Sequence, residues 1–191
     1  PSRMFEWAGH LVSRSGWARE DQWSFFDIGP WGTAHQHNDK LHLSIHAYGR
    51  DLLIDSGRFS YAGDIAKRFG AEYARHSRGH NVILIDGCGQ GPGPAVVEGP
   101  LDSSDYLITP AFDFARGSFS GFADLEGEAA HTRALLYVRG RCWIVIDRIT
   151  TDRPRALETL WHFHPRCTVQ LSDKSAYTSN VESGNLLIVS A

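Results

Sequence analysis

The sequence predicts an all-β domain: an antiparallel, multi-sheet β-sandwich with one short helical excursion. Three observations carry this. Apolar and polar residues alternate over several short stretches, the period of a strand with one buried face. Turn residues, mostly glycine, break these stretches at short intervals, as in hairpins. Aromatic residues make up 12% of the chain, a level that suits a β-rich core.

Taken in order, residues 41–48 alternate cleanly, Gly49-Arg50 makes a tight connection, and residues 51–55 return as the second arm of a hairpin. Residues 64–73 are the helical candidate, in a long excursion after Asp55. Residues 81–86 form the next strand, closed by Gly87. Gly89-Gln-Gly-Pro-Gly-Pro94 is a loop by its breakers. Further strands are expected over 105–108, 111–117, 132–138, 141–149, 157–164 and 186–189, with a turn at Val138-Arg-Gly-Arg-Cys142. Many short strands of this kind argue for a sandwich. Neither an internal repeat nor a low-complexity tract is present.

Composition excludes some classes. The 191 residues fit one domain, and 42% hydrophobic content supports a core. A net charge of -3 with both signs mixed leaves no electrostatic footprint for nucleic acid. No apolar run is long enough to span a membrane as a helix. Cys88, Cys142 and Cys167 have neither metal-type spacing nor a disulfide pattern. Cys142 and Cys167 sit in apolar strand contexts and are expected to be buried thiols. The opening residues do not read as a signal peptide. With a strand still under way at residue 189, the chain reads as one domain, residues 1–191, from a longer protein.

The chemistry concentrates in three places: His35-Gln-His37-Asn-Asp39, Asp55, and His80-Asn81. Each lies beside a predicted strand. Imidazoles and a carboxylate are the usual nitrogen and oxygen ligands of zinc. A His-x-His pair can give one ligand and leave the other imidazole free for chemistry. Any single histidine is more often structural than a ligand, but the grouping shifts that balance. Asp39 could be a ligand or could orient one. His42 and His46 share the polar face of their strand and read as solvent-facing or cleft-lining. Arg58, Tyr61, Lys67, Arg68, Tyr73, Arg75, His76 and Arg78 all fall between Asp55 and His80. Lys67 and Arg68 suit a solvated helix face. Arg75, His76 and Arg78, just before His80, suit a cleft wall, where arginine can grip carboxylate or sulfate oxygens.

These residues resemble a known family. Arg14-Ser-Gly-Trp17, Phe26-Asp-Ile-Gly-Pro30, His35-Gln-His-Asn-Asp39, Ala47-Tyr-Gly-Arg50, Leu53-Ile-Asp-Ser-Gly57, Phe59-Ser-Tyr61, Ser77-Arg-Gly-His-Asn81 and Ile85-Asp-Gly87 look like the heparinase II/III-like polysaccharide lyases. Cys142-Trp-Ile-Val-Ile-Asp147-Arg148 and Trp161-His-Phe-His-Pro165 fit the same family's sheet domain. The resemblance implies a multi-sheet sandwich that follows an N-terminal α/α-toroid. It implies β-elimination on uronic-acid polysaccharides such as heparin, heparan sulfate or alginate. It matches His37, Asp55 and His80 to the ligands of a structural Zn2+, and His35 to the imidazole that reaches the catalytic cleft. Tyr61, Arg75, His76 and Arg78 become candidate substrate contacts, and a periplasmic or secreted location follows. Gln36, Ser56 and Val82 depart mildly from the family pattern. The large departure is the toroid, whose catalytic Tyr has no counterpart here, so this domain alone is expected to be inactive.

Two rival classes remain at this point. A metallo-β-lactamase-like hydrolase uses His-x-His-x-Asp-His, but Lys40 stands at the last position and no α/β alternation follows. A non-catalytic carbohydrate-binding sandwich would need exposed aromatic residues on one face.

Overall fold

The computed structural model describes residues 1–57, 62–182 and 184–190. Its strands form four antiparallel sheets, as the alternation predicts. The first contains β1 (Arg3–Phe5), β2 (His10–Arg14), β3 (Trp23–Asp27), β4 (Leu43–Ala47) and β5 (Arg50–Leu53), in chain order. Strands β2 to β4 bury every second residue, so Leu11, Phe26, Leu43 and Ile45 face inward. The β4–β5 connection is Tyr48-Gly49, with φ of 53° and 77°. Two left-handed residues make the hairpin turn whose twist matches the flanking strands, which explains the glycine.

After β5 the chain makes its excursion. One turn of α-helix, α1 (Gly63–Ile65), runs on into a π-helical segment, Ala66–Ala74, and a 3₁₀ turn, Ser77–Gly79, precedes β6 (Ile83–Ile85). The expected helix over 64–73 therefore exists, mostly with π-helical hydrogen bonding. Lys67 and Arg68 are exposed on it, as expected.

The second sheet is β7 (Tyr106–Ile108), β8 (Phe112–Phe119), β9 (Ala129–Val138) and β10 (Cys142–Thr151), in spatial order β10-β9-β8-β7. β9 alternates strictly and buries Ala129, His131, Arg133, Leu135 and Tyr137. Ala115 and Leu135 close on the inner face of the first sheet to make the core. Each fully buried Leu, Ile or Phe there contributes roughly 1.5–3 kcal/mol. β10 is an edge strand, and Ile144 and Ile146 on its outer face are exposed. Cys142 lies on that face and is exposed, while Cys167 is half-buried; the expectation of two buried thiols fails at this edge.

β11 (Leu157–Thr159) pairs with β6. The strand expected over 157–164 does not continue in that sheet. Leu160 still donates to the Val82 carbonyl at 2.9 Å, but His164 donates to the Leu52 carbonyl at 3.0 Å and Ile54 to the His162 carbonyl at 2.9 Å. The segment thus crosses from β6 to β5, which sets His162 beside Asn81. A third hairpin unit, β12 (Val169–Ser172), β13 (Ser175–Thr178) and β14 (Leu187–Val189), completes the described fold.

Candidate functional site

Three segments converge at one end of the first sheet. The loop between β3 and β4 carries His35, His37 and Asp39. Asp55 follows β5. His80 leaves the 3₁₀ turn just before β6. Together they bring one ligand atom each from His37, Asp55 and His80 within 4.8 Å of one another, a group that could hold a metal ion. His37 and Asp55 are half-buried, and His80 is fully buried. The His37 and His80 rings lie 5.3 Å apart at their centroids.

Asp55 Oδ2 lies 2.6 Å from His80 Nδ1, and Oδ1 accepts the Gly57 N–H at 2.5 Å. An ionised carboxylate only accepts, so the proton sits on His80 Nδ1. The other ring nitrogen, Nε2, is buried with no hydrogen-bond partner among the described residues. Leaving such an atom unsatisfied costs roughly 1–3 kcal/mol, so this nitrogen offers a lone pair suited to a metal ion. Burial alone would raise the Asp55 carboxyl, but the bonds from His80 and Gly57 outweigh it and hold the group at about 2. Burial lowers His37, with the Asp39 charge opposing.

Asp39 does not join the cluster among the described residues. With His37, Asp27, Lys40, Trp31 and Gln90 it lines a cavity of about 500 Å³. Burial pushes both Asp27 and Asp39 up to about 6. His35 is exposed at φ 56°, in the left-handed region that non-glycine residues avoid. A residue held there costs of order 1–3 kcal/mol and is characteristic of functional loops.

His42 departs from the sequence reading. It is 1% exposed and lies under the cluster, neither solvent-facing nor cleft-lining. Leu41 before it adopts φ 74° and is itself buried, which turns the chain as it enters β4. Burial lowers His42 to about 3, so its imidazole is neutral. His46 is remote from this group: it bonds Asp51 at 2.8 Å and the Arg19 carbonyl at 3.1 Å, and stacks on Trp23.

Asn81 joins the segments. Its side-chain amide donates to the carbonyls of Leu43 and Ile54 at 2.8 and 3.2 Å, and its Oδ1 accepts the His162 N–H at 2.5 Å. His162 Nε2 in turn meets the Tyr73 hydroxyl at 3.0 Å and the Arg78 carbonyl at 2.9 Å. Below, buried Arg133 donates to the carbonyls of Leu41 and Asn81 at 3.0 and 2.7 Å. It also forks onto Asp147 at 2.7 and 3.1 Å. Burial would raise Asp147, but bonds from His131 and Arg133 hold it at about 2. The sequence reading singled out Asn81 beside His80 and His162 within a family motif without giving either a task, and it passed over Arg133. Arg133 offered only the signal of a charged residue within an apolar strand.

The expected substrate contacts are placed as follows. Arg75 donates through Nε to the Gln36 carbonyl at 3.1 Å, and its own carbonyl accepts the Asn38 N–H at 2.9 Å, so it braces the His35–His37 loop. Arg78 donates to the Gly87 carbonyl at 3.1 Å. His76 is exposed and lines an open cleft with Arg78 and Glu72. Tyr61 lies outside the described residues.

Comparison with known proteins agrees with this fold. The chain is 23% identical over 202 residues to a heparin-sulfate lyase of Pedobacter heparinus, covering 99% of this chain and 28% of that protein. The crystal structure of heparan sulfate lyase HepC from Pedobacter heparinus superposes with a TM-score of 0.77 at 21% identity, over 98% of this chain and 28% of that one. A heparinase III structure gives a TM-score of 0.80 at 18% identity, over 97% and 27%. The chain therefore spans little more than a quarter of the relatives it matches. The profile described as heparinase II/III-like, C-terminal, matches residues 6–191, and the chain belongs to that family.

Proposed function

We propose that this chain is the sheet domain of a lyase that cleaves uronic-acid polysaccharide, heparin/heparan-like or alginate-like, by β-elimination. The observation that carries the reading is a shared loop: the turn that sends His37 into the cluster leaves His35 exposed two residues away. The names of the similar proteins, heparin-sulfate lyase and heparan sulfate lyase, favour a sulfated substrate over alginate.

His37, Asp55 and His80 would hold Zn2+. Two imidazoles and a carboxylate are a zinc-type donor set, and the partnerless buried nitrogen of His80 fits such a use. When bound, the ion supplies a structural cross-link between three segments distant in sequence. Elimination removes the C5 proton of a uronate and protonates the departing C4 oxygen. The C5 proton becomes acidic only when the neighbouring carboxylate is neutralised by hydrogen bonds. His35 acts as neutraliser or as base, within the proton-transfer range of imidazole. Arg75 holds the loop that carries it, while Tyr61, His76 and Arg78 are proposed contacts to the acidic chain. An N-terminal α/α-toroid of the same protein would supply a catalytic Tyr and the opposite wall. On that reading residues 1–191 are one domain of a longer periplasmic or secreted enzyme.

The test is ultraviolet absorbance of unsaturated product, from heparan-type and alginate substrates, with zinc measured on the same samples. The longer protein should turn over, and the isolated domain should not, because positioning supplies much of the rate. His35→Ala in the longer protein should lose turnover and keep its zinc. Turnover by the isolated domain, or a normal rate for His35→Ala, would overturn the proposal.

A second reading, a carbohydrate-binding sandwich without chemistry, has one observation in its favour. Arg14 lies over exposed Trp17 at 4.2 Å, and Arg3 over exposed Phe5 at 5.3 Å. It predicts oligouronate binding by the isolated domain that survives His35→Ala and is lost in Trp17→Ala.

A further inference from the structure

His42 touches both halves of the candidate metal cluster without belonging to it. Its Nδ1 lies 3.0 Å from the backbone nitrogen of Asn81. An amide N–H can only donate, so His42 Nδ1 carries a lone pair and the ring proton of the neutral imidazole sits on Nε2. That Nε2 lies 2.8 Å from Ser44 Oγ and 3.5 Å from Asp55 Oδ2. The ring also meets the His80 ring edge-on, with centroids 5.8 Å apart at 87°. A histidine in this state has no lone pair left for a metal: one nitrogen is spent on backbone and the other is protonated.

We infer that His42 is a positioning residue for the cluster, clamping the backbone beside His80 through Nδ1 and setting its Nε2–H, bonded to Ser44 Oγ, as a positive dipole 3.5 Å from the Asp55 carboxylate. This rests on the metal reading above and deepens it. Ligands are seldom held by their own backbone alone, and partners that orient a ligating carboxylate typically change metal affinity by 10–100-fold when removed. The geometry also separates the two tasks by atom. Nδ1 serves the fold, since Asn81 binds three segments. Nε2 serves the site, since it lies 3.5 Å from Asp55 Oδ2 while giving its proton to Ser44 Oγ.

Asparagine and glutamine dissect the ring. An Asn side chain places an acceptor near the position of Nδ1 and nothing near Nε2. A Gln side chain reaches a donor toward Nε2 and has no acceptor near Nδ1. Zinc affinity is measured in the full chain by competition with a chromophoric chelator, and thermal stability is measured with chelator in excess. For His42→Asn the expectation is a metal-free melting temperature close to wild type and a zinc dissociation constant raised about 10–100-fold. For His42→Gln the expectation is a lower metal-free melting temperature with zinc affinity within a few-fold of wild type. His42→Asn binding zinc as tightly as wild type overturns this inference alone. So does a pair of variants whose affinities fall only in step with their metal-free stability, the mark of a purely structural residue. A wild type that takes up no zinc overturns the metal reading and this inference with it. Should neither variant fold, ¹⁵N spectra of the metal-free wild type decide: the Nε2–H tautomer at His42 is expected, and the Nδ1–H tautomer overturns it.

Discussion

Asp27→Asn should stabilise this protein at alkaline pH and do almost nothing at acid pH. Asp27 lies at the end of β3, on the wall of the cavity that also holds His37 and Asp39. Burial raises its carboxyl from 3.8 to about 6, with the Gly29 N–H and the charge of Lys40 opposing. The sign follows from linkage. The folded-state pKa exceeds the unfolded one, so the native form binds the proton more tightly. Stability from this group is complete below 3.8 and is lost as pH rises through 6. A gap of about 2 pH units at 1.36 kcal/mol each corresponds to about 3 kcal/mol forfeited at pH 8. Asparagine keeps an oxygen for the Gly29 N–H, which Asp27 Oδ1 accepts at 2.8 Å, and carries no charge. The variant should therefore gain about 3 kcal/mol at pH 8, or about 6–12 °C in melting temperature for a domain of this size. The assay is a melting series of both proteins from pH 4 to 8 with chelator present, so that metal binding does not add to the difference between them. Asp39, raised by its own burial and by Asp27, should ionise more easily in the variant. A melting difference that stays flat across the series, or a variant less stable than wild type at pH 8, would refute the reasoning.

Two further outcomes follow from the site and its support. Chelator should lower the wild-type melting temperature, since an ion held at 100 times its dissociation constant stabilises by about 2.7 kcal/mol, and His80→Ala should abolish the response; an equal chelator shift in both proteins would count against the ligand set. Arg133→Met should cost about 3–5 kcal/mol in urea unfolding, because it strips Asp147 of its fork and leaves the carbonyls of Leu41 and Asn81 without their donor. A loss under 1 kcal/mol would mean that water replaces the guanidinium.

The elements legible in the sequence were those whose alternation is apolar on one side. Leu43–Ala47, Ala129–Val138 and Cys142–Thr151 announced themselves this way, with their turns. His10–Arg14 and Trp23–Asp27 went unread because Ser13 and Ser24 occupy inward positions, so their buried faces are half polar. Val169–Ser172 is exposed along its whole length and carries no burial signal. The crossing of residues 160–164 from one sheet to another is a pairing choice, set by which backbone groups are free, and side-chain pattern does not encode it.

The same logic explains what was visible at the site. His37, Asp55 and His80 could be picked out as a group because few residue types suit a metal, and the fold brings those three together. His42 could not, because a neutral, buried, doubly bonded imidazole has the same letter as a solvated one. Strand alternation placed it on the polar face of its strand, which was right for Ser44. It failed for His42 because the left-handed turn at Leu41 ends the regular strand just there, and the segment bearing His80 and Asn81 packs over it. Arg133 repeats the lesson one layer down. On an isolated strand it reads as solvated, yet it is fully buried because two carbonyls and one carboxylate, from three other segments, converge on it. A charged group can be buried when its partners are already in place. Those partners include the carbonyl of Asn81, whose N–H holds His42. The candidate metal cluster therefore stands on a second buried polar centre, and the backbone of residues 41 and 81 is what the two share.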